Sequence, residues 1–317
     1  MSDSGTAGTA GVTAGSTAGS TAGSTAGSTA SLRGLPFVKM TGSGNDFVFF
    51  DGRSVPIALV TQPEVIKAIC NRYNGIGADG IVVLEPLSGD ADVRIHYYNS
   101  DGTAADLCGN ATLCSTALSV ELGLAQASGM RLSTGAGLIK SRLEHLPAIA
   151  LQPVTDIRPD MPIDLTTTGD PAGGRIGFAV AGIPHLVILC DDADAIDVAG
   201  LGPALRRHPA SGPAGANVNW VSPRPDGTWR YRTFERGVEG ETLACGTGAV
   251  ATAVLLATWG LAGQAVVIRT SSGRDVEVLL EPLLEPPPGD SSGDRRGFAP
   301  TLRGEGRIVF RGEIADL

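Results

Sequence analysis

Lysine is nearly absent from this chain. Lys39, Lys67 and Lys140 are the only three among 317 residues, and the second half has none. None of them sits in a context that fits the Schiff-base lysine of a pyridoxal phosphate enzyme, so no cofactor is expected. Positive charge is short overall. Twenty-four Lys and Arg against 33 Asp and Glu leave a formal charge of −9, which argues against a nucleic-acid partner or an anionic membrane surface. Long apolar runs are missing too: the apolar segments are short and broken by Thr, Ser and Glu, so no transmembrane span is expected. The N-terminus has neither the basic start nor the apolar core of a secretory signal, and no arginine before Arg33 to form a mitochondrial address. The five cysteines (Cys70, Cys108, Cys114, Cys190 and Cys245) are an odd number. With no export signal they read as reduced thiols in a cytoplasmic protein, and no metal is expected.

Residues 5–31 are almost pure Thr-Ala-Gly-Ser repeat. They lack the bulky apolar side chains that offset chain entropy, so residues 1–35 are expected to be a disordered tail. The remainder is long enough for two domains of ordinary size.

Two cysteine motifs organise that remainder. Leu107-Cys108-Gly109-Asn110-Ala111 and Ala244-Cys245-Gly246-Thr247-Gly248 each open an apolar run, with their cysteines 137 residues apart. The first run is Leu113, Ala117, Val120 and Leu124, and the same offset gives Val250, Val254, Ala257 and Leu261. That spacing predicts two matched helices, each apolar along one face. A helix start carries unpaired N–H groups and the positive end of the macrodipole. It therefore binds anions and is expected to lower a thiol's pKa. A lone cysteine there reads as a small buried hydrophobe. Two in one register point instead to a site shared between the halves, where the thiols would pair on oxidation if they faced one cavity.

The intervening sequence repeats one plan. Strands are expected at 37–40, 47–51, 81–84 and 93–98, with a helix at 64–71 and a hairpin over 130–144. The second half matches with strands at 176–181, 186–190, 216–221 and 229–234, a helix at 198–208 and a hairpin over 265–280. Residues 146–171 read as a proline-spaced crossing, residues 285–300 as an exposed loop and residues 307–314 as a closing strand. Gly75 to Gly80 is glycine-rich but leads into a strand instead of a helix, which excludes a dinucleotide site. The expected fold is α+β: two pseudo-symmetric domains, each a mostly antiparallel sheet around a central helix, with the active site in the interdomain cleft. The expected domains are 36–152 with 302–317, and 153–301.

Two thiols facing one carbon fit a two-base proton exchange, in which one thiolate removes a hydrogen and the other thiol returns one from the opposite side. The carbanion formed beside a carboxylate needs preorganised donors. The N–H groups of Gly109, Asn110, Gly246 and Thr247 can supply them from both sides. His185 and Glu235 fall at strand-end turns and are candidates to tune the thiols; taken singly, they read as a buried histidine and as part of a solvated ion pair with Arg236.

The sequence from about Phe37 onward resembles the diaminopimelate epimerases. The resemblance lies in Gly44-Asn45-Asp46-Phe47, Gly75-Ile76-Gly77-Ala78-Asp79-Gly80, Asn99-Ser100-Asp101-Gly102, Cys108-Gly109-Asn110, Pro184-His185, Ala216-Asn217, Glu235-Arg236-Gly237, Gly240-Glu241-Thr242 and Cys245-Gly246-Thr247-Gly248, all in the family's order. It implies interconversion of LL- and meso-diaminopimelate without a cofactor, by Cys108 and Cys245 as acid/base thiols, in a homodimer. It also implies that Asn45, Asn99, Asn217 and Arg236 hold the distal amino-carboxylate end. Gly109, Asn110, Gly246 and Thr247 hold the reacting carboxylate, Glu235 binds substrate, and His185 and Glu235 tune the thiols. The chain departs from the family's usual pattern at Ile183 (often Asn), Gly80 (often Gln) and Ala111-Thr112-Leu113 (usually Gly-Ala-Arg), and it has one extra residue within 237–240. Three competing readings are a proline- or hydroxyproline-type racemase, a cysteine hydrolase with His185 as base, and a binding module with structural cysteines.

Overall fold

The first half begins with strands β1 (Pro36–Gly42) and β2 (Asn45–Asp51), followed by helices α1 (Ile57–Val60) and α2 (Pro63–Cys70). Strands β3 (Gly80–Pro86) and β4 (Val93–Asn99) lead into helix α3 (Gly109–Glu121), and strands β5 (Met130–Thr134), β6 (Gly137–Leu143) and β7 (Pro147–Ala150) close this half. The second half starts with β8 (Ile157–Arg158), β9 (Arg175–Ala181) and β10 (Ile183–Leu189), then α4 (Val198–Arg206), β11 (Asn217–Pro223), β12 (Trp229–Glu235) and β13 (Gly240–Thr242). Helix α5 (Gly246–Thr258), β14 (Ala265–Arg269), β15 (Asp275–Pro282), β16 (Phe298–Arg303) and β17 (Arg307–Glu313) complete the chain. The structure is a computed structural model that describes residues 31–167, 174–284, 297–315 and 317. The expected tail, apart from residues 31–35, lies outside the described residues, as do residues 168–171 of the crossing and 285–296 of the expected loop.

The pairing is duplicated. In the first half β2 runs parallel to β3, with Phe47 beside Gly80, and β3 is antiparallel to β4. In the second half β10 runs parallel to β11, with His185 beside Asn217, and β11 is antiparallel to β12. β4 then pairs in parallel with β5, as β12 does with β14. The outer pairings exchange chain ends: β17 lies antiparallel on β1, and β8 lies on β9. β7 and β16 pair antiparallel, joining the halves edge to edge. The architecture is thus α+β, with two pseudo-symmetric domains built from mostly antiparallel sheet, each wrapped around one helix.

The helices α3 and α5 span residues related by the 137 offset. Each ends at a glycine of positive φ, Gly123 (68°) and Gly260 (74°), where a side chain would be strained. The next amide closes each end, with the Leu124 N–H donating to the Ser119 carbonyl and the Leu261 N–H to that of Leu256. A single apolar face was expected. Both helices are instead buried on all sides over most of their length, and of the expected stripes only Leu113, Val250 and Val254 are fully buried. A helix inside a wrapped sheet has no solvent side. Most of the buried hydroxyls of α3 are satisfied within the helix: Thr112 donates to the Cys108 carbonyl, Ser115 to that of Ala111, and Thr116 to that of Thr112 with Ser141 alongside, whereas the Ser119 hydroxyl has no partner among the described residues.

Several elements depart from expectation, among them the short α1 and β13, which have no counterpart in the expected plan. The crossing contains β7 and β8, and Phe298 to Pro300, expected in a loop, open β16. Pro147 and Pro300 weighed against strands there. Pro184 and His185 lie inside β10 and not in a turn before it.

Candidate active site

The N-caps of the two helices are Cys108 (φ −132°, ψ 118°) and Cys245 (φ −128°, ψ 111°), near-copies in backbone conformation. In each, the cysteine carbonyl accepts the first helical hydrogen bond, from Thr112 and Ala249 respectively, both at 2.9 Å. The extended N-cap turns its side chain out over the helix tip, beside the free amides of the first turn. The tips almost touch. A Cβ added at Gly109 would lie 3.7 Å from the Gly246 Cα, the converse distance is also 3.7 Å, and Leu302 sits against both. The facing Cα would be in ordinary contact with such a Cβ, but Leu302, at 3.3 Å from one at Gly109 and 3.0 Å from one at Gly246, would have to give way.

Both thiols line one cavity of about 860 Å³. None of the five cysteines, these two included, is in a disulfide. Asn45, Asn99, Gly109 and Asn110 reach the cavity from the first half, and Glu235, Arg236, Gly246 and Thr247 from the second. Two of the expected site residues are not among its lining. His185 and Asn217, neighbours on β10 and β11, are buried one layer behind. Asn217 is occupied there: its Nδ2 reaches the Cys245 sulfur at 3.7 Å, and its Oδ1 accepts the Arg236 backbone N–H at 2.9 Å.

The side chains of the first half are tied in series. Arg72 bridges Asp46 and Asp79. Asn45 donates to Asp79 Oδ2 at 2.9 Å, which leaves its own Oδ1 to accept from Asn110 Nδ2 at 2.7 Å. Asn110 Oδ1 is then a buried acceptor with no partner among the described residues, at the cavity wall. Arg236 donates Nη1 to the Ala214 carbonyl at 3.4 Å, and the rest of its fork fits a carboxylate. Thr242 donates to the Glu235 carboxylate.

Burial reverses the lowering of thiol pKa expected from the sequence. It pushes the Cys108 thiol up to about 11, and the Glu235 carboxylate adds to the rise; the Ala111 and Asn110 amides and the Tyr97 hydroxyl oppose it. Burial and Glu235 raise Cys245 as well, against Thr247 and the Gly248 amide. The helix-start amides act in the expected direction, but lost hydration outweighs them. A buried thiolate formed here is scarce and correspondingly basic. Burial raises Glu235, opposed by its bonds from Thr242 and Cys245. His185 is held at about 3 by burial and by the nearby Arg236 charge. It stays neutral, with Asn219 Nδ2 3.3 Å from its Nδ1, so it cannot supply a positive charge to either thiol at neutral pH.

Tyr97 and Asp79, not expected as site residues, complete the site. Tyr97 lines the cavity, as does Asp79, and Ile183 stands where the family often has Asn. Tyr97 was legible in principle, since it lies two residues before Asn99 and so on the same strand face. Gly80 leaves no room for the family's glutamine: a Cβ there would lie 2.3 Å from the Tyr98 carbonyl oxygen and 3.0 Å from Tyr97 Cε2.

The family model for diaminopimelate epimerase matches residues 37–148 and 178–281. A diaminopimelate epimerase from Gemmatimonas aurantiaca is 78% identical over 284 residues, spanning 89% of this chain and 100% of that protein. One from Aquifex aeolicus is 36% identical, over 75% of this chain and 88% of that protein. Among solved structures, a Bacillus anthracis phenazine biosynthesis protein of the PhzF family superposes with TM-score 0.66 at 14% identity, covering 89% of this chain and 99% of that one. A probable proline racemase from Agrobacterium radiobacter does so with TM-score 0.60 at 19% identity, covering 89% and 93%. These two likenesses are of fold alone. The matched motifs, the two thiol-capped helices on one cavity and the 78% identical relative agree: this chain belongs to the diaminopimelate epimerase family.

Proposed function

We propose that the cleft inverts one α-carbon of diaminopimelate by proton exchange between Cys108 and Cys245. The chain is an epimerase that interconverts the LL and meso forms. The observation that carries this reading is the pair of thiols capping symmetry-related helices on one cavity, in a chain 78% identical to a diaminopimelate epimerase.

In this mechanism one cysteine, as thiolate, takes the α-hydrogen as a proton, and the electron pair passes into the carboxylate. The Gly109, Asn110, Gly246 and Thr247 amides stabilise the charge that develops there. The second cysteine gives its proton to the opposite face, so the two sulfurs exchange protonation states in each turnover. Glu235, bonded to Cys245, is the group placed to accept that thiol's proton. Arg236, Asn45 and Asn99 hold the distal ammonium and carboxylate, whose needs for acceptors and a forked cation they match. Asn217 and His185 support Cys245 from behind. No cofactor takes part. The two domains of this reading are 36–152 with 302–317, and 153–301, supported by β17 pairing on β1 and β8 on β9. The family resemblance supports a homodimer, and cysteines held in no disulfide support a cytoplasmic setting.

The test is LL-diaminopimelate incubated with the protein in heavy water, under reducing conditions and with no cofactor added. Meso product with deuterium at the inverted carbon is expected. Cys108→Ser and Cys245→Ser should each lower turnover by about 10²–10⁴. Exchange on proline instead, or one dispensable cysteine, overturns the proposal.

A further inference from the structure

The layers behind the two thiols differ although the halves match. Behind Cys245 the paired strands place His185 beside Asn217 and Asn219 opposite Thr233. These four are buried and polar, and Asn217 reaches the sulfur. The corresponding pairs in the first half are Phe47 beside Gly80 and Val82 opposite Tyr97. Phe47 and Val82 are buried and apolar, and Gly80 has no side chain. The Tyr97 ring occupies the space a side chain at Gly80 would need. It is fixed edge-on against Phe47, with ring centroids 6.0 Å apart, and its hydroxyl donates to Asn99 Oδ1 at 3.0 Å. Among these four first-half positions, Tyr97 alone has a hydrogen-bonding side chain, and it faces the cavity that Cys108 lines.

We infer that Tyr97 does for Cys108 what Asn217 does for Cys245: its hydroxyl, positioned by Gly80 and Phe47, donates a hydrogen bond to the Cys108 sulfur when that sulfur is a thiolate. The inference rests on the proposed role of Cys108. The hydroxyl has one proton. With Cys108 as thiol it goes to Asn99; when Asn99 turns its carbonyl to the substrate ammonium, the proton is released toward the sulfur. No proton is transferred, because burial first of all, and Cys108 next, push the Tyr97 hydroxyl far above its ordinary pKa and it stays protonated. Binding of the distal end is thereby coupled to stabilisation of the thiolate.

The test compares the wild type with Tyr97→Phe, which keeps the ring that fills the space at Gly80. Alkylation of Cys108 and of Cys245 by iodoacetamide is followed against pH by peptide mass spectrometry. Turnover of LL-diaminopimelate and melting temperature are measured on the same samples. In Tyr97→Phe the Cys108 profile should move up by about one pH unit, with kcat/KM down roughly tenfold, while the Cys245 profile and the melting temperature hold. A wild type that turns over substrate beside a Tyr97→Phe variant with an unmoved Cys108 profile overturns the inference. So does an equal shift at both thiols, which marks general loosening of the cleft. If the wild type exchanges no α-hydrogen, the epimerase reading fails, whereas the alkylation profile still decides whether Tyr97 bonds Cys108.

Discussion

Gly109 and Gly246 meet tip to tip, each close enough that a methyl group on one would touch the other's Cα at 3.7 Å. The contact sets how far apart the two sulfurs stand, since each caps the helix that its neighbouring glycine begins. Leu302 closes the contact from the side, 3.3 Å from a Cβ at Gly109 and 3.0 Å from one at Gly246.

Gly246→Ala is therefore expected to cut kcat/KM at least about tenfold. Alanine's better helix propensity favours the variant by up to about 1 kcal/mol, but buried Leu302 has to give way. Gly109→Ala, with the longer contact, should be milder. Leu302→Val in the Gly246→Ala background should restore part of the activity. Kinetics and thermal melts on the three variants check this, and equal loss in both alanine variants would contradict it.

His185 makes stability depend on pH. Its folded pKa is about 3 against an ordinary 6.5. Between those values the unfolded chain takes up a proton that the folded chain refuses, so stability falls as pH drops through this window. The slope approaches about 1.4 kcal/mol per pH unit. His185→Gln should remove that slope and leave the rest of the acid dependence, including that of Asp46, whose carboxyl burial would raise but which bonds from Arg72 and Lys39 hold below its ordinary value. Urea titrations at a series of pH values on both proteins give the difference directly.

Arg236 is expected to act on binding more than on chemistry. Arg236→Ala should raise KM for diaminopimelate by roughly 10- to 100-fold with kcat nearly unchanged, and Arg236→Lys should recover only part, because an ammonium lacks the fork. Steady-state kinetics separate the two constants. A fall in kcat at constant KM would remove Arg236 from the distal end.

Gly80 should tolerate no side chain. Gly80→Ala drives a Cβ into the Tyr98 carbonyl at the buried end of the β3–β4 ladder, at a cost of about 1–3 kcal/mol. Gly80→Gln, which restores the family's usual residue, should be worse still. Melting temperatures rank the two against the wild type.

The two thiol helices were legible in the sequence because their cysteines, apolar residues and closing glycines recur at one offset, which survives any uncertainty about single elements. The strands of the central ladders were legible for a similar reason: each is a short β-branched or aromatic run between turn residues. β16 was not, because Pro300 and its loop-like neighbours hid a strand paired on both sides. The direction of the thiol pKa shifts was lost for a different reason. A helix start is visible in a motif, but burial of its cap belongs to residues such as Leu302, far along the chain. His185 and Asn217 were placed in the site by motif, and only the pairing of β10 with β11 reveals that they back a sulfur and do not face the cavity. Tyr97 carried no motif at all.

The pairing of β1 with β17 joins Pro36 to Glu313, almost the full span of the described residues. During synthesis the first half thus emerges without its outermost strand, whereas β8 to β16 are contiguous and can assemble as they appear. The earlier-made half is the later-finished one. A ribosome stalled shortly before residue 307 would release a protein with one thiol seated and the other on an unfinished wall.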